Sequence, residues 1–418
     1  MPNNLFIMKR NTFFSFFLAL AVLGSVSKIY AADFDTAYVS KPFVKTAIKF
    51  LPNEYKGVWR GEDGLIRIAN GRIILKKVHI PKFKRDVRVS ATVRLTSAGD
   101  PWDKSGSCFI IPASSDINML SVAMGEKEYL PVDSVRYGHL VGAVLAEEYQ
   151  PAIEIMRFMT PFGVGHFSRN DSIGHLRMPV YIDGWAPYVE WQDDVTQLYS
   201  ALTGDVYVGM YVDTWTAKGY EASLTLTVRE SQLRSDKCPR RYVIPLLNTI
   251  PYYKQTYPTL FSSHGLDVSF DLPSKSRHAM LYYIVTGHGG HNGGDEFTKQ
   301  ENHLSIDGRL VLNYTPWRTD CAQFRRFNPT SGVWLQKRMA NFISEKGKRG
   351  HKEIEETIAS SDLSRSNWCP GSMVAPYRLP LDLTPGTHHL TVDIPHAQPA
   401  EGDKMNHWLV SAYIVFEK

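Results

Sequence analysis

The sequence predicts an all-β protein made of two adjacent antiparallel β-sandwiches. Short runs in which apolar and polar residues alternate recur along both halves of the 418-residue chain, and this two-residue period is typical of half-buried strands. An Asn-Gly pair in the first half and an Asp-Gly pair in the second each separate two such runs, as in β-hairpins. Few stretches have a helical period, and strands do not alternate with helices as they do around a parallel sheet.

A hairpin begins the pattern of the first half. The runs 65–68 and 72–75 flank Asn70-Gly71, a dipeptide that favours two-residue β-turns. Residues 194–202 have the pattern of a short helix with Asp194 as its cap. Further strands are predicted at 87–95, 108–112, 153–158, 180–183, 206–212 and 222–228.

Two segments of the first half lack the strand pattern. Residues 113–150 have no clear period and carry several acidic residues, so we interpret them as a long excursion from the sheet. Residues 231–241 are polar and charged and contain a proline, so we interpret them as a linker.

The second half repeats the same style. The predicted strands 303–306 and 309–312 flank Asp307-Gly308, a second hairpin turn. A glycine-rich loop covers 287–294, and residues 335–358 are compatible with a helix that two glycines interrupt. Further strands are predicted at 266–272, 280–285, 389–394 and 408–416.

The N-terminus has the pattern of an export signal. Lys9 and Arg10 precede the apolar stretch 12–26, and Ala31-Ala32 supplies small residues for cleavage. No later stretch of the sequence is long and apolar enough to span a bilayer. We therefore expect an exported protein, periplasmic or secreted.

Composition and cysteine content narrow the class further. The chain is 43% hydrophobic and has a formal net charge of only +5, with its basic residues dispersed. We therefore expect a globular monomer that does not bind nucleic acid. Four cysteines in an exported chain permit disulfides in three complete pairings, between which the spacing does not choose. They are Cys108, Cys238, Cys321 and Cys369.

Acidic, basic and aromatic side chains stand where the predicted strands end. Loops at the ends of a rigid sheet commonly carry functional groups. Several acids beside aromatic rings suit sugar binding, and paired carboxylates suit hydrolysis. The candidate site residues are Trp102, Asp103, Lys104, Asp213, Trp215, Glu296 and Arg365.

Five segments, in order along both halves, carry a family resemblance. They are 100–104, 157–165, 212–219, 295–296 and 365–371, and the most specific parts are Thr160-Pro161 and Trp368-Cys369-Pro370-Gly371. Together they resemble the bacterial peptide-N-glycosidase F family, over roughly residues 61–418. The resemblance implies two jelly-roll domains side by side with the active site at their seam, and an amidase that releases N-linked glycans without a metal or other cofactor. The implied substrate is an N-glycoprotein or glycopeptide.

The resemblance also implies a role for each candidate residue. Asp103 takes the main catalytic role, Glu296 holds the sugar or an ordered water, and Asp213 is the third acid. Cys321 and Cys369 match a disulfide of the family, whereas Cys108 and Cys238 have no counterpart and are expected to be buried thiols. The substrate-binding residues are Trp102, Lys104, Arg365 and Trp215.

The resemblance also implies domain boundaries, and it reveals two residues at which this chain differs from the family. We expect a signal peptide at 1–32, an N-terminal extension at 33–60, and jelly-roll domains at 61–231 and 242–418. The family has arginine where this chain has lysine beside the catalytic aspartate, and a glutamate where it has Asp213. A shorter carboxylate displaces the reacting oxygens, and a displacement of about 1 Å can cost about a hundredfold in rate.

Other interpretations of the same residues stay open. Asp103 and Asp213 also suit strand-end acids that cap turns, and Arg365 suits a structural ion pair. One alternative function is a glycan-binding double sandwich without catalysis. A weaker one is a copper-dependent oxygenase, because His288 and His291 could serve as two ligands.

Overall fold

The structure is a computed structural model that describes residues 34–129, 140–169, 182–231, 240–255, 257 and 259–418. The predicted export signal, most of the predicted linker and Cys238 lie outside the described residues, as does the middle of the 113–150 excursion. In the part of the chain that is described, no helix has the length and apolarity needed to cross a membrane.

Strands dominate both halves. The strands of the first half are β1 (Phe34–Ile48), β2 (Trp59–Arg60), β3 (Ile66–Ile68), β4 (Ile73–Ile80), β5 (Val87–Ser97), β6 (Ser105–Ile111), β7 (Ile153–Met159), β8 (Val189–Asp194), β9 (Gly204–Val212) and β10 (Tyr220–Ser231). Those of the second half are β11 (Arg241–Asn248), β12 (Leu266–Leu272), β13 (Arg277–His288), β14 (Asn302–Ile306), β15 (Arg309–Tyr314), β16 (Val333–Ile343), β17 (Arg349–Ala359), β18 (Met373–Val374), β19 (Tyr377–Leu381), β20 (Gly386–Asp393) and β21 (His407–Glu417). Among the described residues the α-helices are short, namely α1 (Met119–Ala123) and α2 (Tyr199–Leu202).

The predicted pair of antiparallel sandwiches is confirmed. In the first sandwich a four-stranded sheet, β1-β10-β5-β8, faces a seven-stranded sheet, β18-β7-β6-β9-β4-β3-β2. In the second, β11-β21-β13-β19 faces β12-β20-β14-β15. Alternation explains the layers, since every second residue of β5 and β10 is buried between the sheets.

Both predicted hairpin turns are confirmed. β3 and β4 pair antiparallel across Asn70, whose φ of 58° is the left-handed conformation that asparagine tolerates. β14 and β15 pair across Asp307-Gly308, where both residues have positive φ, 49° and 77°. The short helical stretch predicted after Asp194 is also confirmed. The Asp194 carboxylate caps it by accepting a hydrogen bond from the Thr196 amide (2.9 Å), just before α2.

The first part of the predicted N-terminal extension, 33–60, is a strand of the first sandwich and does not lie outside it. β1 pairs with β10 from Phe34↔Ser231 to Ile48↔Tyr220 and so forms the edge of the first sandwich. Its register shifts between Ser40 and Phe43 and again before Thr46. Such bulges break the two-residue alternation that sequence patterns depend on. The other expected domain boundaries stay predictions.

The helix-compatible segment 335–358 is instead a hairpin. β16 and β17 pair from Val333↔Ala359 to Ile343↔Arg349 and form a sheet of their own. Gly347 makes the turn with a positive φ of 72°. Because most side chains on both faces of the ribbon are exposed, no buried stripe distinguishes strand from helix in the sequence. The lysines near the turn are exposed to solvent.

The sequence pattern predicts a strand at 180–183, but the strand in this region lies further along the chain. Part of the predicted strand 180–183 lies outside the described residues, and its described residues, Ile182 and Asp183, are not in a strand. The neighbouring strand is β8, which pairs with β5 from Val189↔Leu95 to Asp194↔Ser90. Its first four residues, 189–192, do alternate between buried apolar and exposed polar side chains, but a run this short is a weak strand signal.

A buried polar group joins the two sandwiches. Arg157 on β7 pairs with Glu154 on the same strand (2.5 Å). The same guanidinium donates to the backbone carbonyl of Leu409 on β21 (2.5 Å). Nearby, Ser107 donates to Glu154 (2.8 Å), and the Tyr252 hydroxyl lies 3.0 Å from that of Ser107. The hydrogen bond from Arg157 to the Leu409 carbonyl therefore fixes one sandwich against the other.

The expected disulfide between Cys321 and Cys369 is present, with Cα atoms 5.1 Å apart. Cys108 is a buried free thiol, as expected, and burial raises its pKa. The disulfide closes a loop that contains the β16–β17 hairpin and ends at the Trp368-Cys369 turn.

Removing this disulfide should lower the free energy of unfolding by about 2–4 kcal/mol, because the unfolded chain gains the entropy of the opened loop. The change is Cys321→Ala with Cys369→Ala, and the measurement is the urea midpoint followed by tryptophan fluorescence. Reductant should lower the midpoint of the wild-type protein and leave that of the double variant unchanged. Equal midpoints for wild type and double variant would contradict the prediction.

Candidate active site

The loop that carries Asp103 is held from inside by Asp100. The Asp100 carboxylate is buried and accepts hydrogen bonds from the Trp102 amide (3.1 Å) and from the Thr214 hydroxyl (2.7 Å). Thr214 follows β9, so Asp100 ties the ends of two strands together. An aspartate that accepts from the amide two residues later forms an Asx turn. The short spacing to Trp102 was the available signal for this positioning role, which sequence reasoning missed.

Both halves of the chain fix the backbone around Asp103. Thr160, of the Thr-Pro segment, accepts from the Lys104 amide (2.7 Å) and donates its own amide to the Lys104 carbonyl (2.8 Å). Thr330, from the second half, donates to the Pro101 carbonyl (2.6 Å). Trp102 then projects outward with 59% of its surface exposed. The loop therefore presents Asp103 at the seam between the sandwiches.

Glu296 and Arg365 form a buried ion pair 2.8 Å apart. The Arg365 guanidinium also donates to the carbonyls of Leu363 (2.9 Å) and Ser360 (2.8 Å). It lies over the rings of Trp368 and Phe297, at 4.9 and 5.2 Å from their centroids. Each of the three guanidinium nitrogens thus donates a hydrogen bond, and the cation holds the Glu296 carboxylate in one orientation.

Asp295 positions Glu296 on its glycine-rich loop. The fully buried Asp295 carboxylate accepts from the Trp408 indole (2.8 Å), from the Gln398 amide (2.9 Å) and from the Gln300 side chain (2.9 Å). Gly289 has a φ of +145°, and a Cβ there would meet Asn406 at 2.2 Å, so only glycine fits. The rigid loop therefore fixes where Glu296 points.

The two carboxyl groups, Asp103 and Glu296, share one electrostatic environment. Burial raises the pKa of Asp103, while the positive charges of Arg365 and Lys104 lower it. Burial also raises the pKa of Glu296; Arg365 opposes this, and the negative charge of Asp103 adds to it, for a value of about 7. The structure therefore brings together Asp103 from the first half with Glu296 and Arg365 from the second, as the resemblance implied.

Asp213 belongs to a different cluster at the end of β9. Its carboxylate pairs with Arg72 (3.0 Å), whose guanidinium lies 4.2 Å from the centroid of the Trp215 ring. Trp215 is 58% exposed and also contacts Phe50. Arg72 follows the Asn70-Gly71 turn, and no sequence signal distinguished it.

The two loop histidines point to separate partners. His288 is buried between the rings of Trp368 and His407, at 5.4 and 4.9 Å, and burial lowers its pKa. His291 instead faces the Asn406 side chain at 3.1 Å. Across the described ranges, no group of three or more His, Cys, Asp or Glu side chains is arranged to hold a metal ion.

The chain matches known proteins over both sandwiches. The family model for the N-terminal domain of peptide-N-glycosidase F matches residues 43–228, and the one for its C-terminal domain matches residues 256–415. Curated protein sequences provide no match to the chain.

Solved structures show the same architecture. Two crystal forms of PNGF-II are 34% and 33% identical to this chain, with TM-scores of 0.75 and 0.74 over 91% and 92% of it. The chain spans 65% of the length of PNGF-II in each. PNGase F, a glycosylasparaginase from Flavobacterium meningosepticum, has the same fold at 16% identity and a TM-score of 0.55, with 91% of this chain and 96% of that chain covered.

Proposed function

The chain belongs to the peptide-N-glycosidase F family, and we propose that it is an amidase that releases N-linked glycans from glycoproteins or glycopeptides. The observation that carries this proposal is the meeting of Asp103 and Glu296, from the two halves of the chain, around the Arg365 guanidinium. Acids at a domain seam whose pKa values are raised by burial and opposed by a shared cation are typical of acid–base catalysis.

In the proposed reaction, Asp103 activates water. Its carboxylate takes a proton from a water molecule as that water attacks the side-chain amide carbon of the glycosylated asparagine. The carbon–nitrogen bond then breaks, and Asp103 passes the proton it took from water to the leaving nitrogen. Water and glycosylasparagine are thereby converted into an aspartic acid residue and a glycan ending in a glycosylamine. Burial raises the pKa of Asp103, and the charges of Arg365 and Lys104 oppose that rise, which favours the ionised form that this step needs.

The other candidate residues bind and orient the substrate in this proposal. Glu296, held by Arg365, accepts a hydrogen bond from the reacting sugar or from the ordered water. The exposed rings of Trp102 and Trp215 offer flat apolar faces on which a sugar can stack. Asp213 acts as the third acid from its cluster with Arg72, where the ion pair fixes its carboxylate.

The kcat/KM of the wild-type protein should rise with pH through about 7, the pKa of Glu296. Below this pH Glu296 is protonated and neutral, so both its ion pair with Arg365 and its accepting capacity are weakened. Above it the carboxylate is ionised and can hold the substrate. The measurement is kcat/KM for a glycopeptide across the neutral range at constant ionic strength.

Two variants test whether Glu296 is the titrating group. Glu296→Gln cannot ionise, so its residual activity should lack the limb near neutrality. Glu62→Gln changes an exposed acid and should keep the limb. An unchanged limb in Glu296→Gln would assign the titration to another group.

The function itself is tested with an N-glycopeptide and mass spectrometry. Conversion of the glycosylated asparagine to aspartic acid, together with release of the intact glycan, is the expected result. A deglycosylated peptide that keeps its asparagine would indicate cleavage within the glycan and contradict the proposal. Binding without any cleavage would instead support a glycan-binding protein.

Export and a monomeric state complete the proposal. The disulfide between Cys321 and Cys369 supports an oxidising compartment, since such bonds rarely persist in the cytosol. An N-glycoprotein substrate would also be met outside the cytoplasm. Fractionation of expressing cells and light scattering of the purified protein test these two points.

A further inference from the structure

A cavity of about 520 Å³ lies between the glycine-rich loop and the base of the β16–β17 hairpin. Aromatic rings and hydrogen-bonding side chains share its lining. Those used below include Phe297, Trp317, Trp334, Lys337 and Asp362. Neither Asp103 nor Glu296 lines it, so it is a separate space beside the reactive pair.

A continuous set of contacts connects this cavity to the reactive pair. The rings of Trp334 and Phe297 lie 5.2 Å apart, and the Arg365 guanidinium lies 5.2 Å from the Phe297 centroid. Arg365 in turn contacts Glu296 at 2.8 Å. A substrate group above Trp334 is therefore separated from the scissile bond by the width of several side chains, which only an extended substrate can bridge.

Asp362 is a buried acid in the wall of this cavity. Its side chain is only 3% exposed, and Oδ2 accepts from the Arg325 guanidinium (2.7 Å). Its other oxygen, Oδ1, has almost no accessible surface. Asp362 therefore supports the wall through its ion pair, and the groups that face a ligand are the more exposed side chains of the lining.

We propose that this cavity is a subsite for outer sugar residues of the N-glycan, beyond the disaccharide next to asparagine. A sugar ring has apolar C–H faces, which suit the rings of Trp334 and Trp317, and hydroxyl groups, which suit the side chains of Asn292 and Gln336 in the lining. Lys337 adds a donor for sugar oxygens. The inference rests on the proposed amidase function, since it assigns part of the same substrate to this cavity.

A polypeptide is the other part of the substrate that could occupy the cavity. An extended peptide is usually bound along the edge of a sheet, through alternating backbone donors and acceptors. The cavity instead offers aromatic faces and side-chain polar groups. These features favour a sugar, and the choice of substrates in the test separates the two.

The test compares Trp334→Ala with Met339→Ala, two variants on the same strand. Met339 is exposed and does not line the cavity, so it controls for loss of an apolar side chain from the hairpin. One peptide is used with either a full N-glycan or only the two N-acetylglucosamines of the core. Trp334→Ala should raise KM for the full glycan by about tenfold, the effect of losing one good sugar contact, with kcat unchanged. KM for the short substrate should stay the same.

A second variant and a binding measurement keep the inference testable if Trp334→Ala fails to fold. Gln336→Ala removes an exposed hydrogen-bonding side chain from the lining, and should also raise KM for the full glycan alone. Titration of free N-glycan core oligosaccharide and of free chitobiose, followed by tryptophan fluorescence, measures binding without cleavage. The variants should weaken binding of the oligosaccharide only.

The outcomes separate the subsite from the amidase function. If no glycopeptide is cleaved but the oligosaccharide binds through Trp334, the amidase proposal fails and the subsite stands. Equal KM values for wild type and Trp334→Ala on the full glycan would overturn the subsite. So would an effect that grows with peptide length, or one equal on both substrates.

Discussion

Replacing Asp103 with asparagine is expected to lower kcat/KM for an N-glycopeptide by about a thousandfold, within the range that removal of a general base costs. Asparagine keeps the size of the side chain and its place in the loop, which Asp100 and Thr160 hold independently of Asp103. The substitution removes the negative charge that accepts the proton from water. The measurement is kcat/KM by mass spectrometry, with KM reported separately.

The matched control for this prediction is Asp213→Asn. Asp213 also follows a strand of the first sandwich, but its carboxylate pairs with Arg72 beside Trp215. We expect its loss to reduce kcat/KM by about tenfold, the effect of losing about 1.4 kcal/mol of substrate orientation, because Asp213 orients the substrate in this proposal and does not take the proton from water. Equal losses in the two variants would give both acids a direct role. Near-full activity in Asp103→Asn would exclude Asp103 as the base.

Replacing Arg157 with methionine is expected to lower the free energy of unfolding by about 3–5 kcal/mol, because it leaves an uncompensated charge in the interior. Both side chains of the Arg157–Glu154 pair are almost fully buried. The change strands the Glu154 carboxylate and removes the donor to the Leu409 carbonyl on the other sandwich. The measurement is the urea midpoint and slope of the purified variant.

Two comparisons decide whether charge or packing causes the loss. Arg94→Met breaks the exposed Arg94–Glu190 pair on the same sandwich and should cost about 1 kcal/mol or less. Combining Arg157→Met with Glu154→Met removes both buried charges and should recover most of the lost stability. A double variant no more stable than Arg157→Met would mean that the seam needs the arginine itself.

Most strands could be predicted because their sequence signals, an apolar–polar alternation or a turn dipeptide, involve residues that are neighbours in the chain. The alternation in β10 and the turn at Asp307-Gly308 are local features, and the structure confirms both. Where the local signal is disturbed, prediction failed. Bulges hide β1, and two exposed faces make the β16–β17 hairpin resemble a helix.

The candidate site divides in the same way. The motifs named Asp103, Glu296 and Arg365, whose charges interact across the seam in the structure, whereas the roles of all the candidate residues stay predictions. Asp213 and Trp215 were named with them but lie in a cluster with Arg72. The positioning groups Asp100 and Asp295 were missed, since their partners are distant in sequence, such as Thr214 and Trp408.

By itself the sequence determined the fold class, most strand positions, the disulfide pairing through the family resemblance and the chemical types at the site. The tertiary structure alone decided which charges meet and how far water is excluded from them. The pKa of Glu296 illustrates the reason. It depends on burial between the two sandwiches, on Arg365 69 residues away and on Asp103 from the other half, and none of these is encoded in a local pattern.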